Sequence, residues 1–151
     1  LVRQAQQELT TLIRELRPAA LNGKGLARAL QDCVSDWSRQ SHITAELRVR
    51  GERPLPLPLE QALFRVAQEA LTNISRHSQA TSVEVELVWE NGDIILSIAD
   101  NGHGFNVSST DGKGLGLQSM RERVEALGGQ LEVKSKLRTG TRIQARLKAM
   151  G

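Results

Sequence analysis

Three groups of residues in this chain have the types and spacing to do chemistry. Glu69, Asn73 and His77 recur every fourth residue within an apolar helical pattern, so they stack in one row along a helix. At about 100° per residue that row borders the buried face, a position that suits groups facing a cleft. The second group is Asp100-x-Gly102-x-Gly104, where the apolar run Ile94-Ile95-Leu96-Ser97-Ile98-Ala99 stops abruptly at a carboxylate. A sheet can hold a carboxylate rigidly at a strand end, and the two glycines allow a tight turn and close main-chain approach to a ligand. The third is Gly112-x-Gly114-x-Gly116-Leu117, which opens a helix and would turn main-chain N–H groups toward phosphate. Together, a fixed carboxylate, a pliable polar loop (Asn106 to Lys113) and a glycine-rich helix start can bind the two ends of a nucleotide. Asp100 would accept a hydrogen bond from an amine on the base. A glycine pair beside an aspartate also serves ordinary turns, so both readings stay open at this point.

The elements that must position these residues follow from hydrophobic periodicity. Val2 to Arg17 reads as the last turns of a helix striped by Leu9, Leu12, Ile13 and Leu16, which Pro18 ends or bends. No cap opens it, and we expect the chain to be a fragment of something longer, the alternative being a natural amphipathic start to a small domain. Leu26 to Arg39 forms a second helix, and the alternation of Ile43 to Arg50 a half-buried strand. After a proline-rich connector, Pro58 opens the longest helix, which is expected to run to about His77 with Leu59, Leu63, Val66, Ala67, Ala70 and Ile74 on its buried face. Val83 to Trp89 and Ile94 to Ala99 read as strands joined through Asn91-Gly92, a hairpin signal. A helix with Leu117, Met120, Val124 and Leu127 on one face ends at Gly128-Gly129, and a last hairpin joins Leu131 to Lys134 with Thr141 to Leu147. Five strands with helices between them predict an α+β fold, a two-layer α/β sandwich whose mixed five-stranded sheet carries helices on one face.

Composition narrows the function. The chain has 151 residues, enough for one domain with or without an attached piece, and its 39% hydrophobic content supports a buried core. With no Tyr and few other aromatics, that core must be mostly Leu, Val, Ile and Ala. The net charge of +3 gathers late, in Lys134, Lys136, Arg138, Arg142, Arg146 and Lys148, mostly alternating with apolar residues as solvated strand faces do. Few aromatics are present for bases to stack on, so nucleic acid is not the expected partner. Cys33 is the one cysteine, which excludes a disulfide or thiolate metal site within the chain. No signal peptide and no apolar run long enough to cross a bilayer is visible. The expected compartment is the cytoplasm, with no direct membrane contact.

Two common nucleotide motifs are excluded. No Walker loop occurs, and the Gly112, Gly114 and Gly116 spacing, away from a strand end, does not meet the Rossmann fingerprint. The three groups in their order do, however, resemble the N, G1 and G2 boxes of the ATP-binding domain shared by gyrase, the heat-shock chaperone, histidine kinases and MutL, the GHKL or Bergerat fold. Gln68-Glu69-Ala70-Leu71-Thr72-Asn73 with Arg76-His77, and Gly114 to Arg123, look like the sensor histidine kinase subfamily that includes the nitrate/nitrite and LiaS/DesK-type sensors. Gly128-Gly129-Gln130-Leu131 and Thr139-Gly140-Thr141 resemble the tail of the same domain.

The resemblance implies a division at residue 17. The first segment would be the end of a dimerisation helix, and residues 18 to 151 the ATP-binding catalytic domain. It also implies roles. Asn73 would coordinate Mg²⁺ bound to ATP, an amide oxygen being able to serve as ligand. Glu69 would orient water or the metal, the matching acid being the general base in ATP-hydrolysing relatives. Asp100 would hydrogen-bond the adenine amine with Thr141 in support. Gly102 and Gly104 would let a lid swing, while Gly114, Leu115, Gly116 and Leu117 would present the main chain to phosphates. Arg76 and His77 would lie near phosphates or ribose, the alternative for His77 being a helix C-terminal cap. Lys113 would contact phosphate or be solvated, and His103 would be a lid residue.

The implied activity is transfer of the ATP γ-phosphoryl to a histidine, then relay to a response regulator, in a homodimer. One departure stands out. The family's acceptor is a His followed by Asp or Glu, and His42-Ile43, His77-Ser78 and His103-Gly104 do not fit it. The chain is therefore expected to bind ATP while lacking its own phosphoacceptor. The rival classes are a GHKL conformational switch or ATPase that phosphorylates no histidine, and a serine kinase of the anti-sigma type.

Overall fold

The computed structural model describes residues 25–104 and 116–149. The expectations placed on residues 1–24 and 105–115, including the first helix and the lid, lie outside the described residues. In chain order the elements are α1 (Leu26–Ser41), β1 (Thr44–Arg50), α2 (Leu57–Asn73) continued by a wider turn (Ile74–Ser78), β2 (Ser82–Glu90), β3 (Asp93–Asp100), α3 (Leu117–Glu125), β4 (Gln130–Lys136) and β5 (Gly140–Lys148).

The strands form one five-stranded sheet in the order β1-β2-β3-β5-β4. β1 and β2 are parallel and every other pair is antiparallel, as expected of strand-helix-strand followed by two hairpins. Asn91 and Gly92 both take positive φ, the backbone twist that a two-residue hairpin needs. Register then puts Val83, Val85 and Leu87 of β2, Ile94, Leu96 and Ile98 of β3, and Ile143, Ala145 and Leu147 of β5 on the covered face, all of them buried. Leu63, Val66, Ala67 and Ala70 of α2, Leu30 and Val34 of α1, and Met120 and Val124 of α3 complete the core. Glu84, Arg142, Arg146, Lys134 and Lys136 point the other way and are exposed. The architecture is the mixed-sheet α+β fold that the alternation predicts.

Local chemistry explains the element ends. No side chain of its own caps α1, but the Glu60 carboxylate on α2 takes a hydrogen bond from the Leu26 main chain. That bond joins the starts of the two helices. Three expectations need correction. Leu127 falls beyond the end of α3 and is exposed, because the helix has already turned at Ala126. Leu59, in the first turn of α2, is only half-buried. The helix also does not stay regular to His77. It is α-helical to Asn73 and then widens into a π turn, where the Ser78 hydroxyl donates to the Ile74 carbonyl and left-handed Gln79 ends the run. Turns of this kind gather at functional sites.

Candidate functional site

One cavity of about 380 Å³ opens between α2 with its π turn and the C-terminal end of β3. Its floor is Ile98 and Asp100 of β3 beside Thr141 and Ile143 of β5. Register accounts for the grouping, since Ile98 pairs with Ile143 and Asp100 with Thr141. One wall is Ala70, Asn73, Ile74 and His77, and the rim is His103, Gly104, Leu117 and Leu137. An apolar cavity of this size with a few convergent polar groups is suited to a small ligand.

Asp100 is the most constrained of those polar groups. Its carboxylate accepts the Gly102 main-chain N–H at 2.8 Å and is also hydrogen-bonded by the Thr141 main chain. Burial pushes the carboxyl above its ordinary range, against those two bonds and the nearby His103, which pull it down. Next to it, Asn101 ties the strand end into the sheet. Its Oδ1 accepts from Thr81 N at 2.9 Å and Ser82 N at 3.0 Å, and its Nδ2 donates to Thr81 Oγ1 at 2.9 Å. Across the floor, the Thr141 hydroxyl shares a 2.7 Å hydrogen bond with the Ser135 hydroxyl.

Close main-chain packing requires glycine at the two motif positions. A Cβ at Gly102 would collide with the Ser78 carbonyl oxygen, and one at Gly104, where φ is +64°, with the Lys136 carbonyl oxygen. His103 N donates to the Ser78 carbonyl at 2.9 Å, and its ring Nδ1 faces the Gly104 carbonyl at 3.0 Å and so donates to it. The loop after Asp100 is thereby fastened to the π turn on one side and to the β4–β5 turn on the other.

Asn73, His77, Asp100, Gly104, Leu117 and Thr141 therefore line one cavity although the chain separates them by up to 68 positions, from Asn73 to Thr141. Gly102 is packed beneath it. Glu69 lies one turn before Asn73, outside that lining, with its carboxylate facing the open side of Gly116 at the start of α3. Arg76 is exposed on the π turn and does not line the cavity. His77 sits within that turn, and the left-handed cap is Gln79. Lys113, Gly114 and Leu115 lie outside the described residues. Sequence reasoning missed four contributors: Asn101, Ser78, Leu137 and Ser135. Ser78 carried a usable signal, since a serine in a helical pattern can bond the carbonyl four residues back. Leu137 carried another, as a lone apolar residue between Lys136 and Arg138 in a turn.

A mixed open sheet with one helical layer, and a cavity between a helix and a strand-end aspartate, define a nucleotide-binding class of fold. The sequence profile of the histidine kinase-, DNA gyrase B- and HSP90-like ATPases matches residues 59–150. The chain belongs to that family. It is similar to the sensor histidine kinase LiaS of Bacillus subtilis (strain 168), 36% identical over 144 residues, 95% of this chain and 40% of the relative. It is likewise similar to the sensor protein VraS of Staphylococcus aureus (strain COL), 35% identical over 146 residues, 97% of this chain and 42% of the relative. The chain thus spans two-fifths of these relatives. Among solved structures, the histidine kinase domain of the Erythrobacter litoralis EL346 blue-light activated histidine kinase superposes with a TM-score of 0.67 at 21% identity, over 83% of this chain and 61% of that one. The Acinetobacter baumannii histidine kinase AdeS superposes at 0.66 and 18% identity, over 96% and 80%. At those identities the likeness speaks for the fold.

Proposed function

We propose that this chain is the ATP-binding catalytic domain of a two-component sensor histidine kinase. The observation that carries the reading is the single cavity that joins a strand-end carboxylate to the polar row of a helix. Asp100, with Thr141 beside it, would accept the adenine amine. Asn73 and His77 would face the ribose and phosphates, as would the main chain of Gly114, Leu115, Gly116 and Leu117. Arg76 and Lys113 would add charge near the phosphates, while Gly102 and Gly104, packed against neighbouring carbonyls, would hold the Asp100 loop in place instead of hinging it.

The donor set fits Mg²⁺. Among the described residues no group of three or more His, Cys, Asp or Glu could cage a metal alone. Mg²⁺ does not need such a cage, since it takes one or two protein ligands and completes its shell from phosphate and water. Asn73 would supply one ligand and Glu69 would act through water. When bound, Mg²⁺ neutralises charge on the phosphates. The chain's own contribution is positioning: Glu69 and Asn73 as the catalytic pair, and N–H donors at the start of α3. An imidazole nitrogen on a dimerisation helix would take the γ-phosphoryl and ADP would leave. The phosphate would then pass to a response regulator.

In this reading residues 1–17 end the dimerisation helix, residues 18–151 form the catalytic domain, and the whole protein is a homodimer. Among the described residues no helix is long and apolar enough to cross a membrane. We place the domain in the cytoplasm, as the catalytic module of a sensor. The test is phosphotransfer from labelled ATP to an added acceptor-helix fragment carrying a His-Asp or His-Glu pair. Labelled fragment is the expected result. ATP binding with no transfer to any acceptor would favour the switch reading.

A further inference from the structure

We infer that Leu137, in the turn between β4 and β5, is a substrate-contacting residue that covers the outer face of the purine base. This rests on the ATP-binding reading above. Leu137 is 59% exposed, yet its side chain borders the same cavity as Ile74, Ile98 and Ile143, which are all buried. It is absent from the hydrophobic core and from the apolar side chains packed against it. A single exposed leucine on an open surface asks for no explanation. This one is held in place.

The turn that carries it is fastened at several points. Arg138 N donates to the His103 carbonyl at 2.5 Å, and Thr139 donates twice to the Lys136 carbonyl, from N at 3.1 Å and from Oγ1 at 2.9 Å. The missing side chains of Gly104 and Gly140 let the loop after Asp100 lie directly against this hairpin. The turn is therefore fastened to the loop that presents Asp100. A purine has two flat apolar faces and a polar edge. The cavity floor offers aliphatic side chains for one face and Asp100 for the edge. Leu137 is the exposed apolar side chain positioned to cover the other face, and it would lose its own contact with water in doing so.

The experiment titrates wild type, Leu137→Ala and Leu137→Met with adenosine, ADP and Mg²⁺·ATP. The alanine variant should bind all three about tenfold more weakly, because the loss lies at the base end and apolar contact scales with buried area. The methionine variant should stay close to wild type. Wild-type binding of ATP with an unchanged alanine variant would overturn the inference and leave the ATP reading standing. A loss confined to ATP would also overturn it, since that would place Leu137 at the phosphates. Failure of wild type to bind either ATP or adenosine would remove both. Should the alanine variant melt at a lower temperature, the Leu137 methyl resonances of wild type decide. A ring-current shift on adding adenosine supports the contact, and its absence overturns it.

Discussion

The two ends of the cavity are built differently. At the sheet end, Asp100 is fixed by two main-chain hydrogen bonds, by the Asn101 bridge to β2 and by glycines packed against neighbouring carbonyls. At the helix end, Asn73 is half-buried and His77 exposed, on a helix whose last turn has widened. Rigid parts suit discrimination, where an ill-fitting group must be left without a partner. A half-buried amide and an exposed imidazole at the open end of a cavity suit phosphates and a metal that must remain in reach of water. In our account the sheet end chooses the base and the helix end handles the phosphates.

The largest expected effect lies at the helix end. Asn73→Ala should lower phosphotransfer to a supplied acceptor helix by roughly a hundredfold or more, as loss of a group serving charge stabilisation does. Its melting temperature should stay near wild type, because a cleft residue adds little to packing. A fall in melting temperature as large as that of Leu63→Ala would make Asn73 structural and erase the contrast between the ends.

Next comes Asp100→Asn, expected to weaken Mg²⁺·ATP binding by about 1.5–3 kcal/mol through loss of a charge-assisted hydrogen bond. Calorimetric titration against wild type measures it, and an unchanged affinity would remove Asp100 from the site. At the same end, Gly102→Ala should cost about 1–3 kcal/mol of stability from forced displacement of the Ser78 backbone. Denaturant unfolding reads that cost. A fully stable alanine variant would show the sheet end to be less rigid than described.

The smallest effect is one of pH. Burial raises the Asp100 carboxyl above its unfolded value of 3.8, so folding disfavours the ionised form. Stability relative to Asp100→Asn should be fully present below that unfolded value and decline as pH rises through the raised folded one. Melting curves of both proteins across the acid range check the sign. A wild type that instead gains on the variant with rising pH would mean that the hydrogen bonds from Gly102 and Thr141 outweigh burial.

Much of this was legible in the sequence where one residue type has one physical reason to stand where it does. An apolar run that halts at Asp100 marks a strand end, and Asn91-Gly92 marks a hairpin because few other pairs accept two positive φ values. Asn73 could be placed at the cleft from periodicity alone. The π turn could not, since it depends on Ser78 bonding the Ile74 carbonyl and on the close fit of the Gly102 backbone. The role of Asn101 was not legible either, since only the pairing of β2 with β3 brings Thr81 and Ser82 to its amide. Leu137 stands out locally as a lone apolar residue in a charged turn, but that it lines the cavity follows from tertiary contact.

The central claim, that Asp100 reads the base amine, is tested most directly by pairing a change in the protein with a change in the ligand. Wild type and Asp100→Asn are each titrated with ATP and with the purine riboside triphosphate that lacks the 6-amino group. If Asp100 and the amine are partners, removing the amine costs wild type about tenfold or more in affinity and costs the variant almost nothing, a coupling that only interacting groups display. Equal losses in both proteins would contradict the account.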